Sequence, residues 1–168
     1  QSGGGVRRTH IHTLEEETLA HAPAGLPTVS PSFAAIDKDG RRYFGNCRTA
    51  EGRCILFRLD TDTGAVEELH RSKLQNHLHC NPEGTVLMFG DQQQDGFEGR
   101  WIEWNGENLR PRPGIPFAHH TWFGEGGALQ GTLLPPGNGI AVLPGEEGEI
   151  ELLAQGRYYW HSGCSRDK

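Results

Sequence analysis

From Phe33 onward the chain alternates short apolar runs with turn residues. FAAID, RYFGNCR, CILFRLD and AVEELH follow one another, separated by Asp-Gly, Glu-Gly and Thr-Gly steps. LHCN, TVLMFGD, RWIEWNG and NLRPRP repeat the scheme, and TWFG, ALQGTLL, GIAVLPG and EIELLA repeat it again. Each run is short, partly alternating, and bounded by Gly, Pro, Asn or Asp, which is the signature of a strand. Near the start, VRRTHIHTLEEETLAHA resembles two further strands, although LEEETLAHA also fits a helical turn.

The runs are periodic. Turn motifs end at Gly40, Gly84 and Gly126, and the same point is reached at Lys168, giving steps of 44, 42 and 42 residues. A second landmark, the turns DTDTG, EWNG and GEEG, places Gly64, Gly106 and Gly148 42 residues apart. A period of about 40–45 residues corresponds to four strands per unit in a propeller blade. The expected fold is therefore all-β, a β-propeller of four-stranded blades with about 3.5 blades present. Residues 1–32 read as the end of a preceding blade or a linker, 33–76, 77–118 and 119–160 as blades, and 161–168 as the start of another. The chain stops inside a turn motif, which predicts that it is part of a longer protein.

Composition agrees with strands and turns: 24 Gly, 10 Pro and 35% hydrophobic residues in 168. A formal net charge of −6 lacks the basic footprint of a nucleic-acid partner. No apolar run approaches the roughly 20 residues of a membrane span. No apolar stretch of the signal-peptide kind opens the chain, so the expected location is cytoplasmic, with the periplasm left open. Cys47 and Cys54 could flank a hairpin as a disulfide, but no Cys-x-x-Cys pattern occurs, and free thiols are the favoured reading.

The repeat also aligns chemistry. His77, His119 and His161 occupy one position in three successive units, where the first unit has Phe33. That position precedes the first strand of each blade, so three imidazoles are expected to converge near a central channel. Histidine is the commonest metal ligand and the usual base near neutral pH. A structural hydrogen-bonding role within each blade is the competing reading. His10, His12, His21 and His70 fall outside the register and read as solvated surface. Loops between second and third strands emerge at the same mouth and carry Arg48, Arg53, Gln92, Gln93, Gln94, Asp95 and Arg100. A guanidinium fork matches a carboxylate, so this mouth suits a small anionic or hydroxylated ligand. Trp122 and Trp160 lie near it and would either stack on a sugar ring or pack between blades.

The stretches HHTWFGEGG, GIAVLPGEEGEIELLAQG and YYWHSGCSRDK resemble the oligogalacturonate lyase family of β-propellers. The likeness rests on His119-His120-Thr121-Trp122 and on Trp160-His161-Ser162-Gly163-Cys164-Ser165-Arg166-Asp167, and it spans residues 33–168. Lys168 replaces the Gly of the family's turn. The resemblance implies a seven-bladed propeller that degrades short pectin fragments by β-elimination with a divalent metal, typically manganese. It implies His119 and His161 as metal ligands, with the remaining ligands beyond Lys168, and His77 as the base. Gln75, His77 and His79 mimic the family's later Gln and spaced His pair but precede His119, the wrong order. Arg48, Arg53, Gln93, Arg100 and Trp122 are the candidate substrate-binding residues, the expected partner being a small uronate oligosaccharide. Elimination beside a uronate requires removal of the C5 proton and stabilisation of the developing charge, which a neutral His and a cation supply. The alternative is a non-catalytic propeller that binds or scaffolds.

Overall fold

The computed structural model describes residues 5–21, 34–93, 96–112, 117–123, 128–133, 139–144 and 148–156. Every regular element among them is a β-strand. β1 (Gly5–Thr9) and β2 (Glu16–His21) form an antiparallel hairpin, so the segment that also fitted a helical turn is a strand. β3 (Ala34–Ile36), β4 (Arg42–Arg48), β5 (Cys54–Asp60) and β6 (Val66–Ser72) form a four-stranded meander. β7 (Gln75–Cys80), β8 (Val86–Gln93), β9 (Gly96–Glu103) and β10 (Arg110–Arg112) form a second, and β11 (Phe117–Phe123), β12 (Ala128–Leu133), β13 (Gly139–Leu143) and β14 (Glu151–Gln155) a third. The four-stranded antiparallel repeat expected from the sequence is present. The chain divides into two compact units, residues 1–109 and 110–168.

In the first unit, middle strands are buried on both faces. RYFGNCR and CILFRLD therefore show almost continuous burial rather than strict alternation. Phe44, Leu56, Leu78, Leu87, Phe89 and Ile102 pack together between the β3–β6 and β7–β9 sheets. Cys47, Ile55, Phe57 and Leu59 pack with Val6 and Leu19 of the first hairpin. Burial of each such large side chain contributes about 1.5–3 kcal/mol. A Cβ on Gly45 would stand 2.8 Å from the Phe57 ring, so glycine is what lets that ring lie flat on β4. Outer strand β6, VEELHRS, alternates irregularly and carries the exposed charges.

One end of the seam between these two sheets is closed by stacking. The guanidinium groups of Arg42 and Arg58 lie 4.8 and 4.7 Å from the ring centre of Trp104. Arg42 also donates to Asp37 at 2.8 Å. Burial raises the Asp37 pKa, but hydrogen bonds from the Arg42 side chain and from the Arg41 and Arg42 backbone, with the charge of Arg42, bring it below the ordinary carboxylate range.

One loop expectation changes. The stretch expected as the loop QQQDGFEGR is mostly strand: β8 and β9 stay in register out to Gln93 opposite Gly96. The inter-strand ladder satisfies the backbone of these polar residues and lengthens the hairpin. Cys47 and Cys54 are free and buried. They are offset by one residue across the ladder, since Cys54 pairs with Arg48 and Cys47 with Ile55. Burial, the largest influence, pushes up the Cys47 thiol, and it raises that of Cys80 to about 12.

Candidate functional site

Antiparallel alternation decides which residues share an end of the sheets. In the first unit the tip of the β4–β5 hairpin, the end of β6, the start of β7 and the β8–β9 turn lie at one end. Arg48 and Arg53 are brought together there, both exposed, on a turn closed by Thr49 N to Arg53 O at 2.7 Å and Arg53 N to Thr49 Oγ1 at 3.2 Å.

His77 lies at this end on β7 and is half-buried. Asn76 pairs with Gly90, but the next pair is His79 with Met88, so β7 carries one extra residue. His77 sits in this bulge with φ +47°. Bulges re-aim side chains, and a left-handed residue other than glycine is uncommon although histidine is enriched there. The bulge also breaks the two-residue alternation that would put His77 and His79 on one face.

Immediately beneath lies a buried polar layer. Asp91, fully buried, takes a contact from His70 Nε2 at 3.2 Å and faces Arg100 Nε at 3.9 Å. Burial raises the Asp91 pKa, but hydrogen bonds from His70 and Ser72 and the charges of His70 and Arg100 outweigh it, holding the carboxyl below its ordinary range. Asn46 Nδ2 donates to the Gln75 carbonyl at 3.5 Å, linking β4 to β7. Gln75 is 2% exposed, and neither atom of its side-chain amide has a hydrogen-bond partner. Arg100 is thus a strand residue that faces Asp91, rather than a residue of an open loop. His70, expected at the surface, is a seam residue with its side chain only 18% exposed. Sequence reasoning missed His70, Ser72, Asp91 and Asn46. The one local signal was a carboxylate ending the apolar run TVLMFGD.

In the second unit β11 carries His119, half-buried, with His120 and Trp122 buried. Phe117 pairs with Leu133 and His119 with Thr132, so a bulge precedes His119 as one accompanies His77. His161 and Trp160 lie outside the described residues, as does the side chain of Gln93. His77 and His119 belong to separate units. Among the described residues no group of three or more His, Cys, Asp or Glu side chains is placed to hold a metal ion. The described residues therefore do not by themselves fit the metal that the sequence resemblance implies.

No family model matches the chain, and no curated protein does. Solved structures do. TolB from Acinetobacter baumannii aligns with a TM-score of 0.69 at 13% identity, over 90% of this chain and 38% of that one. An oligogalacturonate lyase in complex with manganese aligns at 0.58 and 14% identity, over 97% and 62%. The β-propeller domain of the trilobed protease from Pyrococcus furiosus aligns at 0.58 and 10%, over 89% and 48%. The shared architecture is that of β-propeller blades. At these identities the likeness establishes the fold, and the chain spans between 38% and 62% of the length of these three structures.

Proposed function

We propose that this protein is a lyase that cleaves oligogalacturonate-type uronates by β-elimination, with His77 as the base. The observation that carries this reading is the left-handed His77 in the β7 bulge. Strained backbone at a titratable residue is retained where its side chain must point in one direction. Arg48 and Arg53, exposed at the same end of the sheets, supply a carboxylate clamp. In the proposed step the neutral His77 imidazole takes the C5 proton, the freed electron pair forms the C4–C5 double bond, and the C4–O bond breaks. The leaving oxygen then takes up a proton. Guanidinium groups on the uronate carboxylate stabilise the charge that develops as the proton leaves.

The resemblance adds a divalent metal, manganese by analogy, with His119 and His161 as its candidate ligands. Two histidines are fewer than such a cation needs, so the roles above are assigned to the chain's own side chains. Gln93 belongs to the same proposed set, whereas Trp122 is a buried residue of the second unit.

A second reading is a non-catalytic propeller that binds its ligand. The two are separated by following the ultraviolet absorbance of unsaturated uronate when the full-length protein meets oligogalacturonates, with and without a chelator. Turnover that is lost in His77→Asn supports the lyase. Calorimetric binding without turnover in any metal supports the second reading, and neither binding nor turnover sinks both.

A further inference from the structure

Arg7, Arg8, Arg42, Arg58 and Arg71 are neutralised within the fold, each standing against a carboxylate. Arg48, Arg53 and Lys73 are different. All three are exposed, and among the described residues no Asp or Glu side chain pairs with any of them. Lys38 and Arg41 are also unpaired, but they lie at the opposite end in a turn that carries Asp37 and Asp39.

The register brings the three cations to one end of the β3–β6 sheet. Arg48 on β4 stands opposite Cys54 on β5, and Cys54 stands opposite Ser72 on β6. Arg53 immediately precedes Cys54, and Lys73 immediately follows Ser72. Three neighbouring strands thus each bring a cation to the same end. Adjacent strands lie about 4.8 Å apart, so the row spans about 10 Å of backbone. Its supports are fixed. Buried Thr49 closes the turn between the arginines. Buried Ser72 donates through Oγ to the Leu74 carbonyl at 3.5 Å, and Gln92 N donates to the same carbonyl at 2.8 Å, pinning the Lys73 segment to β8. That segment leads straight into β7, where His77 lies.

Like charges on neighbouring strands repel, so folding alone does not call for this row. Glu51 sits between the arginines, but its carboxylate accepts from its own backbone N–H and from the Thr49 side chain. A single carboxylate has two oxygens, which two guanidinium forks already fill. Arg48 and Arg53 therefore account for the uronate that reacts, and Lys73 is left over.

We propose that Lys73 reads the carboxylate of a second uronate, so that the site takes runs of at least two adjacent free acids and discriminates against fragments whose neighbouring acid is esterified. This rests on the lyase reading for the chemistry of the ligand and adds a specificity-determining residue to it. A lysine suits the task, because its ammonium is a compact charge on a flexible stem and takes a carboxylate from many directions. The formal charge of −6 repels a polyanion elsewhere on the surface, so the attraction is confined to the few residues that the row reaches.

The test uses the full-length protein with two ligands: trigalacturonate, and the same trimer methyl-esterified except at the residue that loses its C5 proton. Unsaturated-uronate absorbance gives kcat and KM, and calorimetry gives Kd. The wild type should prefer the triacid. Lys73→Gln should cut that preference roughly fivefold, through KM rather than kcat, with circular dichroism unchanged, and Lys73→Arg should restore most of it. Turnover with a preference that neither Lys73→Gln nor Lys73→Glu alters overturns the proposal and leaves the lyase reading standing. No turnover of either ligand removes the lyase reading, and calorimetry then decides: triacid binding that weakens roughly fivefold in Lys73→Gln supports the role of Lys73. Binding that ignores Lys73, or no binding at all, overturns it.

Discussion

The Nε2 of His70 on β6 lies 3.2 Å from Oδ2 of Asp91 on β8, tying one sheet to the next at the end that carries His77. Phe89 sits beside the imidazole, ring centres 5.7 Å apart, so the contact lies where the apolar seam meets the mouth. At the opposite end Trp104 between Arg42 and Arg58 does the same work by stacking. The seam is thus closed by chemically different fastenings at its two ends.

Asp91 predicts acid sensitivity. Its folded pKa is depressed, so the stability it contributes is present above the unfolded value of about 3.9 and is lost as pH falls through the lower, folded one. Urea unfolding should therefore show a loss of stability on acidification below about pH 4. Asp91→Asn should cost about 3 kcal/mol at neutral pH, because Arg100 loses its buried counter-charge, and should flatten part of the acid dependence. An unchanged acid limb in Asp91→Asn would assign that limb to other carboxylates, Asp37 first.

Gln75 makes the opposite prediction. Its amide is buried with neither atom hydrogen-bonded, and an unsatisfied buried polar group costs about 1–3 kcal/mol. Gln75→Leu, close in volume, should leave stability unchanged or raise it by about 1 kcal/mol in chemical denaturation. A clear fall would show that the amide is bonded in solution.

Leu14 and Gly64 both occupy left-handed turn positions, with φ +59° and +74°, and allow a reciprocal exchange. Leu14→Gly removes a left-handed leucine and should stabilise by about 1 kcal/mol. Gly64→Ala should destabilise by at least about 1 kcal/mol, since its φ is +74° and its Cβ would stand 3.0 Å from the Leu19 carbonyl. Thermal denaturation of the two variants, moving in opposite directions, is the check.

His77→Asn separates backbone from chemistry. Asparagine tolerates the left-handed region, so the backbone of the bulge should be kept, while loss of a general base lowers turnover by about 100-fold or more. His77→Val, β-branched at φ +47°, should destabilise as well. If His77→Asn keeps full turnover, the base is another residue.

Much of the fold was legible because strand and turn preferences are local. Gly40, Gly64, Gly84 and Gly106 all adopt positive φ, and their spacing, continued at Gly126 and Gly148, revealed the period. The candidate site was legible only as a register of histidines. Neither bulge could be read, because QNHLHC looks regular until β8 imposes Gly90 and Met88 as its partners. His70 was misread for a related reason. Its chain neighbours Glu67, Glu68 and Arg71 are exposed, and what buries it is the next sheet.

The sequence by itself determined the all-β class, the four-strand repeat and the position of most turns, since these follow from residue preferences over a few neighbours. Only the tertiary structure decided that His77 is left-handed, that Arg100 faces Asp91, and that Leu14 takes a left-handed turn position. The reason is distance along the chain. His70 and Asp91 are 21 residues apart, and Asn46 and the Gln75 carbonyl 29; such contacts form only when whole sheets pack.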